Sequence, residues 1–223
     1  LSYGYYLSLL IILLGILLAL YKVYKDKSYI ENLKNNYLTI GFFIFILLYI
    51  YIMVLHNTTT FKYWDEFMHW GFMCKESFRI NAFYSEPESL LRVHKDYPPF
   101  STILEYLWCK VSANYYNEPF TFRAMSTLVL SFILPTLSNL NINVKKDWFK
   151  GLFFVFLFLM VQVIGISDFF PTFADSIYTD FLLGILCAYG IYLAFSSEEF
   201  DLFNIFSLSM ISVALITLKQ MVL

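Results

Sequence analysis

The chain has 223 residues and a net charge of −2; it is 59% hydrophobic, 21% aromatic and only 14% charged. A water-soluble domain carries about 25% charged residues, so a soluble globular domain is excluded, and no basic patch of the kind nucleic acid needs is present. Cys74, Cys109 and Cys187 show neither metal-ligand spacing nor a disulfide framework and read as packing residues.

The apolar residues come in runs close to the roughly 20 residues that cross a bilayer as a helix. The first expected span is 4–21. It lacks a basic leader and a small-residue cleavage site, and Lys22 and Lys25 follow it, so it reads as a transmembrane helix and not a signal peptide. Further spans are expected at 38–55, 122–140, 152–166, 180–195 and 202–223. The expected fold class is therefore all-α: a polytopic transmembrane helical protein, each span satisfying its own backbone hydrogen bonds. Residues 1–223 form one transmembrane domain, and because the last apolar run reaches Leu223 without a loop, the chain is expected to be a fragment of a longer protein.

Orientation follows from lysine asymmetry. The loops holding Lys22, Lys25, Lys27 and Lys34, and Lys145, Lys146 and Lys150, are expected on the cytoplasmic side. The loops 56–119 and 167–179 then share the outer face. That parity requires the apolar stretch 100–111 not to cross. It is short and carries Glu105 and Lys110, so it is expected as an interfacial helix. The Asn57-Thr58-Thr59 sequon in the same loop is a pattern that chance accounts for.

Three places in the outer loops carry acidic groups. In Tyr63-Trp64-Asp65-Glu66-Phe67-Met68-His69-Trp70, a helical reading puts Trp64, Phe67, Met68 and Phe72 on one apolar face, suited to lying on the membrane. Asp65, His69 and Glu76 fall on another side, and Trp64 and Trp70 suit the interfacial belt. A carboxylate here is either an incidental charge on a solvated helix or a base at the membrane surface. His94-Lys95-Asp96-Tyr97-Pro98-Pro99 forces a turn into the next helix, whose N-terminus favours anions such as phosphate. Asp180 opens a span, either as its cap or as a functional acid.

At these places the sequence resembles the bacterial GT-C membrane glycosyltransferases, the superfold of the protein O-mannosyltransferases and aminoarabinose transferases. The resemblance rests on the acidic pair Asp65-Glu66 after a span, Asp96-Tyr97-Pro98-Pro99 at a helix entry, the stretch 118–123 ending in Arg123, and Thr179-Asp180 opening a later span. Where the aminoarabinose-type pattern has Glu-Lys before its proline, this chain has Asp96-Tyr97.

The resemblance implies an integral protein of a bacterial plasma membrane with its active site on the outer face. It would transfer a sugar from a polyprenyl-phosphate-linked donor to a glycan, lipid or protein acceptor. Asp65 is implied as the base, with Glu66 supporting it or holding a divalent metal together with Asp96. His69, His94, Lys95, Asp96, Arg123, Asp180 and Lys219 are implied in substrate binding, with Lys95, Arg123 and Lys219 at the lipid phosphate. Two other classes stand beside this reading. A transporter would break helices at mid-membrane and show repeats, and neither is seen in the sequence. A non-catalytic membrane assembly protein would need no acidic pair.

Overall fold

The computed structural model describes residues 1–26, 28, 30–31, 39–138, 149, 152–153, 156, 176–196 and 202–218. Among them every regular element is helical. In chain order these are α1 (Ser2–Lys25), α2 (Ile40–Leu55), a π-helical turn (Glu66–Trp70), α3 (Gly71–Ile80), α4 (Phe100–Ser112), α5 (Glu118–Ser138), α6 (Thr179–Ser196) and α7 (Leu202–Leu218). The expected span 152–166, the lysine loop at 145–150 and Lys219 lie outside the described residues or nearly so.

The helix ends follow from local chemistry. Thr39 caps α2 by accepting the Phe42 N–H on its hydroxyl at 3.2 Å. Lys22 and Lys25 stand in the last turn of α1, where the helix dipole favours cations. Asn81 stops α3 in the left-handed region at φ 54°. The Pro98-Pro99 pair precedes α4 as expected, whereas α5 begins at Glu118, earlier than the expected 122. Arg123 is therefore inside a helix and does not open one.

Packing centres on α2 against α5, with α4, α6 and α7 completing the core. Ile52, Met73, Phe122, Leu130, Ile177 and Leu218 are its most enclosed apolar residues. His56 stands at the end of α2 with its ring nitrogens 3.0 Å from the Ser126 hydroxyl and 3.2 Å from that of Thr59, and it stacks on Phe122. None of α1's residues is buried. Its start is tied to the end of α3, where the Leu1 nitrogen donates to the Asn81 carbonyl and the Ser2 hydroxyl to the Asn81 side chain.

Among the described residues, Ser2–Lys25 is the one helix long and apolar enough to cross a membrane by length and composition; the apolar stretches Gly41–Leu55, Thr179–Phe195 and Asn204–Leu218 are shorter. Of the six expected spans, the first alone has a helix among the described residues that passes this test, so the all-helical class is shown and the polytopic architecture is not.

Helix α4 differs from its expectation in what it buries. Its 13 residues rise about 20 Å at 1.5 Å per residue. Ser101, Thr102, Glu105, Tyr106 and Cys109 form its inward face. Glu105, expected at a wet interface, is 1% exposed. It falls at the i+4 position of a stripe that packs on α3 and α5, and helical periodicity carries it inward with its neighbours.

The segment after α2 also departs from a plain α-helix. The Gly71 N–H reaches back to the Glu66 carbonyl, a π-type bond that inserts one residue into the turn. The insertion shifts the phase of everything after it. Trp64, Phe67 and Met68 are exposed as the helical reading has them, but Phe72 turns in against the core, and Trp70, expected beside Trp64 at the interface, is buried.

Gly71 permits this close fold: a Cβ there would stand 2.0 Å from the buried Phe61 ring and 2.9 Å from the Glu66 carbonyl oxygen. Gly71→Ala is expected to cost about 1–3 kcal/mol through overpacking. A thermal midpoint equal to that of the unmodified protein would contradict this account of the turn.

Candidate functional site

Three segments far apart in sequence meet around the π-helical turn: the turn itself, residues 94–97, and residues 176–178. Glu66 makes one of the joins. It is fully buried, and its Oε2 accepts the N–H groups of Lys62 at 2.8 Å and Tyr63 at 3.1 Å, while its Oε1 accepts the N–H of Ile177 at 3.1 Å. One carboxylate thus closes the start of the turn on itself and fastens it to the residues before α6. Burial raises its pKa above the usual carboxylate range, and the three N–H donors oppose that rise.

Asp65, its neighbour, faces elsewhere and is half-buried. Tyr178 stands beside it, close enough for the Asp65 charge to act on its hydroxyl. Burial, reinforced by the charges of Asp65 and Glu66, pushes the Tyr178 hydroxyl up to about 12, so it stays protonated. The Tyr63 and Tyr178 rings lie 5.8 Å apart on the same side.

His69 makes the second join. Its ring lies 4.8 Å from that of His94, 5.5 Å from Tyr97 and 5.0 Å from Trp70. His94 in turn is 4.4 Å from Tyr97, and its backbone sits at φ 58°, an uncommon conformation for a residue with a side chain. The buried Tyr84 hydroxyl donates to the Tyr97 carbonyl, and burial, with Asp96 adding to it, raises that hydroxyl to about 12. At the far end of the loop, Glu76 pairs with Arg79 at 2.7 Å and accepts the Leu90 N–H, while Arg79 also donates to the Glu88 carbonyl.

Of the implied site residues, Asp65, His69 and His94 therefore share one surround, to which the structure adds Tyr97 and Tyr178. Asp96 and Asp180 arrive on the same two segments, but both side chains are exposed. Lys95 donates to the Glu86 carbonyl at 3.2 Å. Arg123 donates to the Met53 carbonyl at 3.0 Å and to Asn57 at 3.2 Å, with its guanidinium over Phe120, so it clamps the end of α2 to α5. Its Nε is buried without a partner. Asn57 also lines a cleft of about 490 Å³, together with Thr58, Thr60, Tyr116, Asn117, Glu118 and Pro119. That cleft holds none of Asp65, Asp96 and Asp180, the three acids to which the resemblance implies site roles.

Glu66 does not fit the metal role, because its oxygens already hold three backbone N–H groups. Among the described residues no group of three or more His, Cys, Asp or Glu side chains is arranged to hold a metal ion. Tyr97 and Tyr178 escaped the sequence reading because, in a chain with 18 Tyr and 25 Phe, an aromatic residue carries no distinguishing signal.

Burial lowers the pKa of His69; the Asp65 carboxylate opposes this and His94 adds to it. An unfolded histidine titrates near 6.5. Below that pH the unfolded chain binds a proton that folded His69 resists, so its contribution to stability, complete above about pH 6.5, is lost as pH falls through the lowered folded value. The thermal midpoint is expected to drop between about pH 7 and 5.5, and less steeply in His69→Gln. Parallel curves for the two proteins would refute this assignment. No family model matches the chain, and no curated protein or solved structure is significantly similar to it.

Proposed function

We propose that this protein is a membrane glycosyltransferase of the GT-C class, which moves a sugar from a polyprenyl-phosphate carrier to an acceptor hydroxyl on the outer face of a bacterial plasma membrane. The observation that carries the reading is the setting of Asp65. It is half-buried between Tyr178 and His69, on a turn whose opposite side exposes Trp64, Phe67 and Met68. An apolar patch beside a protected carboxylate suits a group that takes a lipid-linked substrate at the membrane surface.

A membrane setting is supported by the exposed side chains of the apolar helices. Leu10, Leu13, Leu17, Leu47, Ile191 and Ile216 are all at least half exposed, or nearly so, on four different helices, a surface that water would penalise. Helix α1, with 24 residues, rises about 36 Å. Helices α2, α6 and α7 have 16, 18 and 17 residues and rise about 24–27 Å. That is slightly less than the roughly 30 Å hydrocarbon core, a mismatch that local bilayer thinning accommodates.

In this mechanism an Asp65 oxygen takes the proton of the acceptor hydroxyl. The freed oxygen attacks the anomeric carbon, the bond from that carbon to the phosphate oxygen breaks, and polyprenyl phosphate leaves as an anion. The new glycosidic bond has inverted configuration. Lys95, on the segment that brings His94 and Tyr97 to this surround, is the cation assigned to the departing phosphate.

The test uses the full-length protein in lipid nanodiscs with polyprenyl-phosphate-linked sugars. Release of polyprenyl phosphate by the unmodified protein, lost in Asp65→Asn, is the expected result. No release from pentose, hexose and amino-sugar donors, with any acceptor class, would overturn the reading.

A further inference from the structure

The cleft at the end of the α2–α5 pair is built from two loops distant in sequence. Asn57, Thr58 and Thr60 follow α2, while Tyr116, Asn117 and Glu118 lead into α5. Its volume of about 490 Å³ lies within the roughly 300–1,000 Å³ of small-molecule sites. The lining is held from behind. The Glu118 Oε2 accepts the Phe61 N–H at 3.0 Å, the Asn57 Oδ1 accepts from the Arg123 guanidinium at 3.2 Å, and the Tyr116 hydroxyl donates to the Gly71 carbonyl at 3.4 Å. The Phe120 N–H donates to the Asn117 carbonyl at 3.0 Å and the Thr121 hydroxyl to the Glu118 carbonyl at 2.7 Å, which sets the backbone of the second loop.

We propose that this cleft binds an uncharged polyhydroxylated ligand, a neutral sugar. Its charge balance excludes the alternatives. An anion would face the Glu118 carboxylate with no Lys, Arg or His in the lining. A hard cation such as calcium takes about six to eight oxygen ligands, carboxylates among them. The cleft offers one carboxylate, which already holds the Phe61 N–H, and its Asn57 oxygen is taken by a guanidinium whose charge repels a cation. A wholly apolar ligand would strip water from the carboxylate, amides and hydroxyls and return no hydrogen bond.

The remaining capacity of the lining matches hydroxyl groups, which both donate and accept. With its oxygen committed to Arg123, the Asn57 amide keeps its NH2 as a donor. The Glu118 carboxylate accepts beyond the single bond it gives Phe61. Neighbouring sugar hydroxyls are then held in turn, one donating to Glu118 and the next accepting from Asn57, with the Thr58 and Thr60 hydroxyls able to do either. Tyr116 and Pro119 give the cleft apolar wall for the C–H face of a sugar ring. Asn57, Thr58 and Thr60 are exposed, so the ligand enters directly from solvent. Because the lining is held before the ligand arrives, binding loses little ordering entropy. The inference stands on the cleft and is independent of the glycosyl-transfer reading, whose base, Asp65, does not line it.

The full-length protein in lipid nanodiscs is titrated with glucose, galactose, mannose and N-acetylglucosamine, and binding is read by saturation-transfer NMR. Transfer to at least one of these sugars is expected, with affinity weakened about tenfold or more in Glu118→Gln and in the double variant Thr58→Val, Thr60→Val. Glutamine keeps an oxygen for the Phe61 N–H, and both threonines are exposed, so the melting midpoints should stay near that of the unmodified protein. Asp65→Asn should bind the sugar as the unmodified protein does. No transfer to any of these sugars, or transfer that both cleft variants leave unchanged, would overturn the proposal. Transfer abolished by Asp65→Asn and kept in the cleft variants would put the sugar beside Asp65 and overturn it equally. Displacement of the sugar by inorganic phosphate or by calcium would mean that the cleft takes a charged ligand, against the proposal.

Discussion

Asp65→Asn is expected to lower sugar transfer by about 100-fold or more while leaving the thermal midpoint almost unchanged. Asparagine keeps the size and one acceptor oxygen. What is lost is the oxygen that takes the acceptor's proton. Asp65 is only half-buried, so the folded state has little to lose. The measurement is polyprenyl phosphate release beside a melting curve in the same detergent. Transfer within about threefold of the unmodified rate would remove Asp65 from the chemistry, since a general base contributes at least about 100-fold.

Glu66→Ala should produce the opposite pattern, a large loss of stability with activity lost as a consequence. Three backbone N–H groups, those of Lys62, Tyr63 and Ile177, would lose their acceptor at once. Orphaning the buried Ile177 N–H costs about 1–3 kcal/mol, and the half-buried Lys62 and Tyr63 donors add less, so a total of about 2 kcal/mol or more is expected. The loss also releases Ile177, and with it Tyr178, from its place beside Asp65. Glu66→Gln should fall between the two. Its amide oxygen can accept on one side only, and its NH2 confronts the N–H donors on the other. Melting of Glu66→Ala at the unmodified temperature would mean that this carboxylate is not the fastening the geometry describes. The two neighbouring acids are thus separable by experiment, one by turnover at constant stability and one by stability first.

The contrast between Asp65 and Glu66 shows what a linear reading misses. The acidic pair is visible in the sequence, and so is its place after an apolar run. Consecutive helical residues point about 100° apart, however, and nothing local says which of two adjacent acids faces the interior. Here the π-type insertion at Glu66–Trp70 resets the phase as well. That is why Trp64 and Trp70, equal candidates for an interfacial belt, end as an exposed and a buried side chain.

The sequence by itself determined the helical class, the places where the described helices start and stop within a few residues, and the candidate status of Asp65, His69 and His94. Those depend on hydrophobic runs, caps and proline pairs, which act over a few neighbouring residues. Only the tertiary structure decided that Glu66 fastens the turn to Ile177, that Tyr178 lies beside Asp65, and that Glu105 is buried between α4 and its neighbours. Each of these is a contact between segments distant in the chain. It exists because two helices or loops pack in one particular rotation, and that rotation is fixed by the joint fit of many side chains and not by any one stretch of sequence.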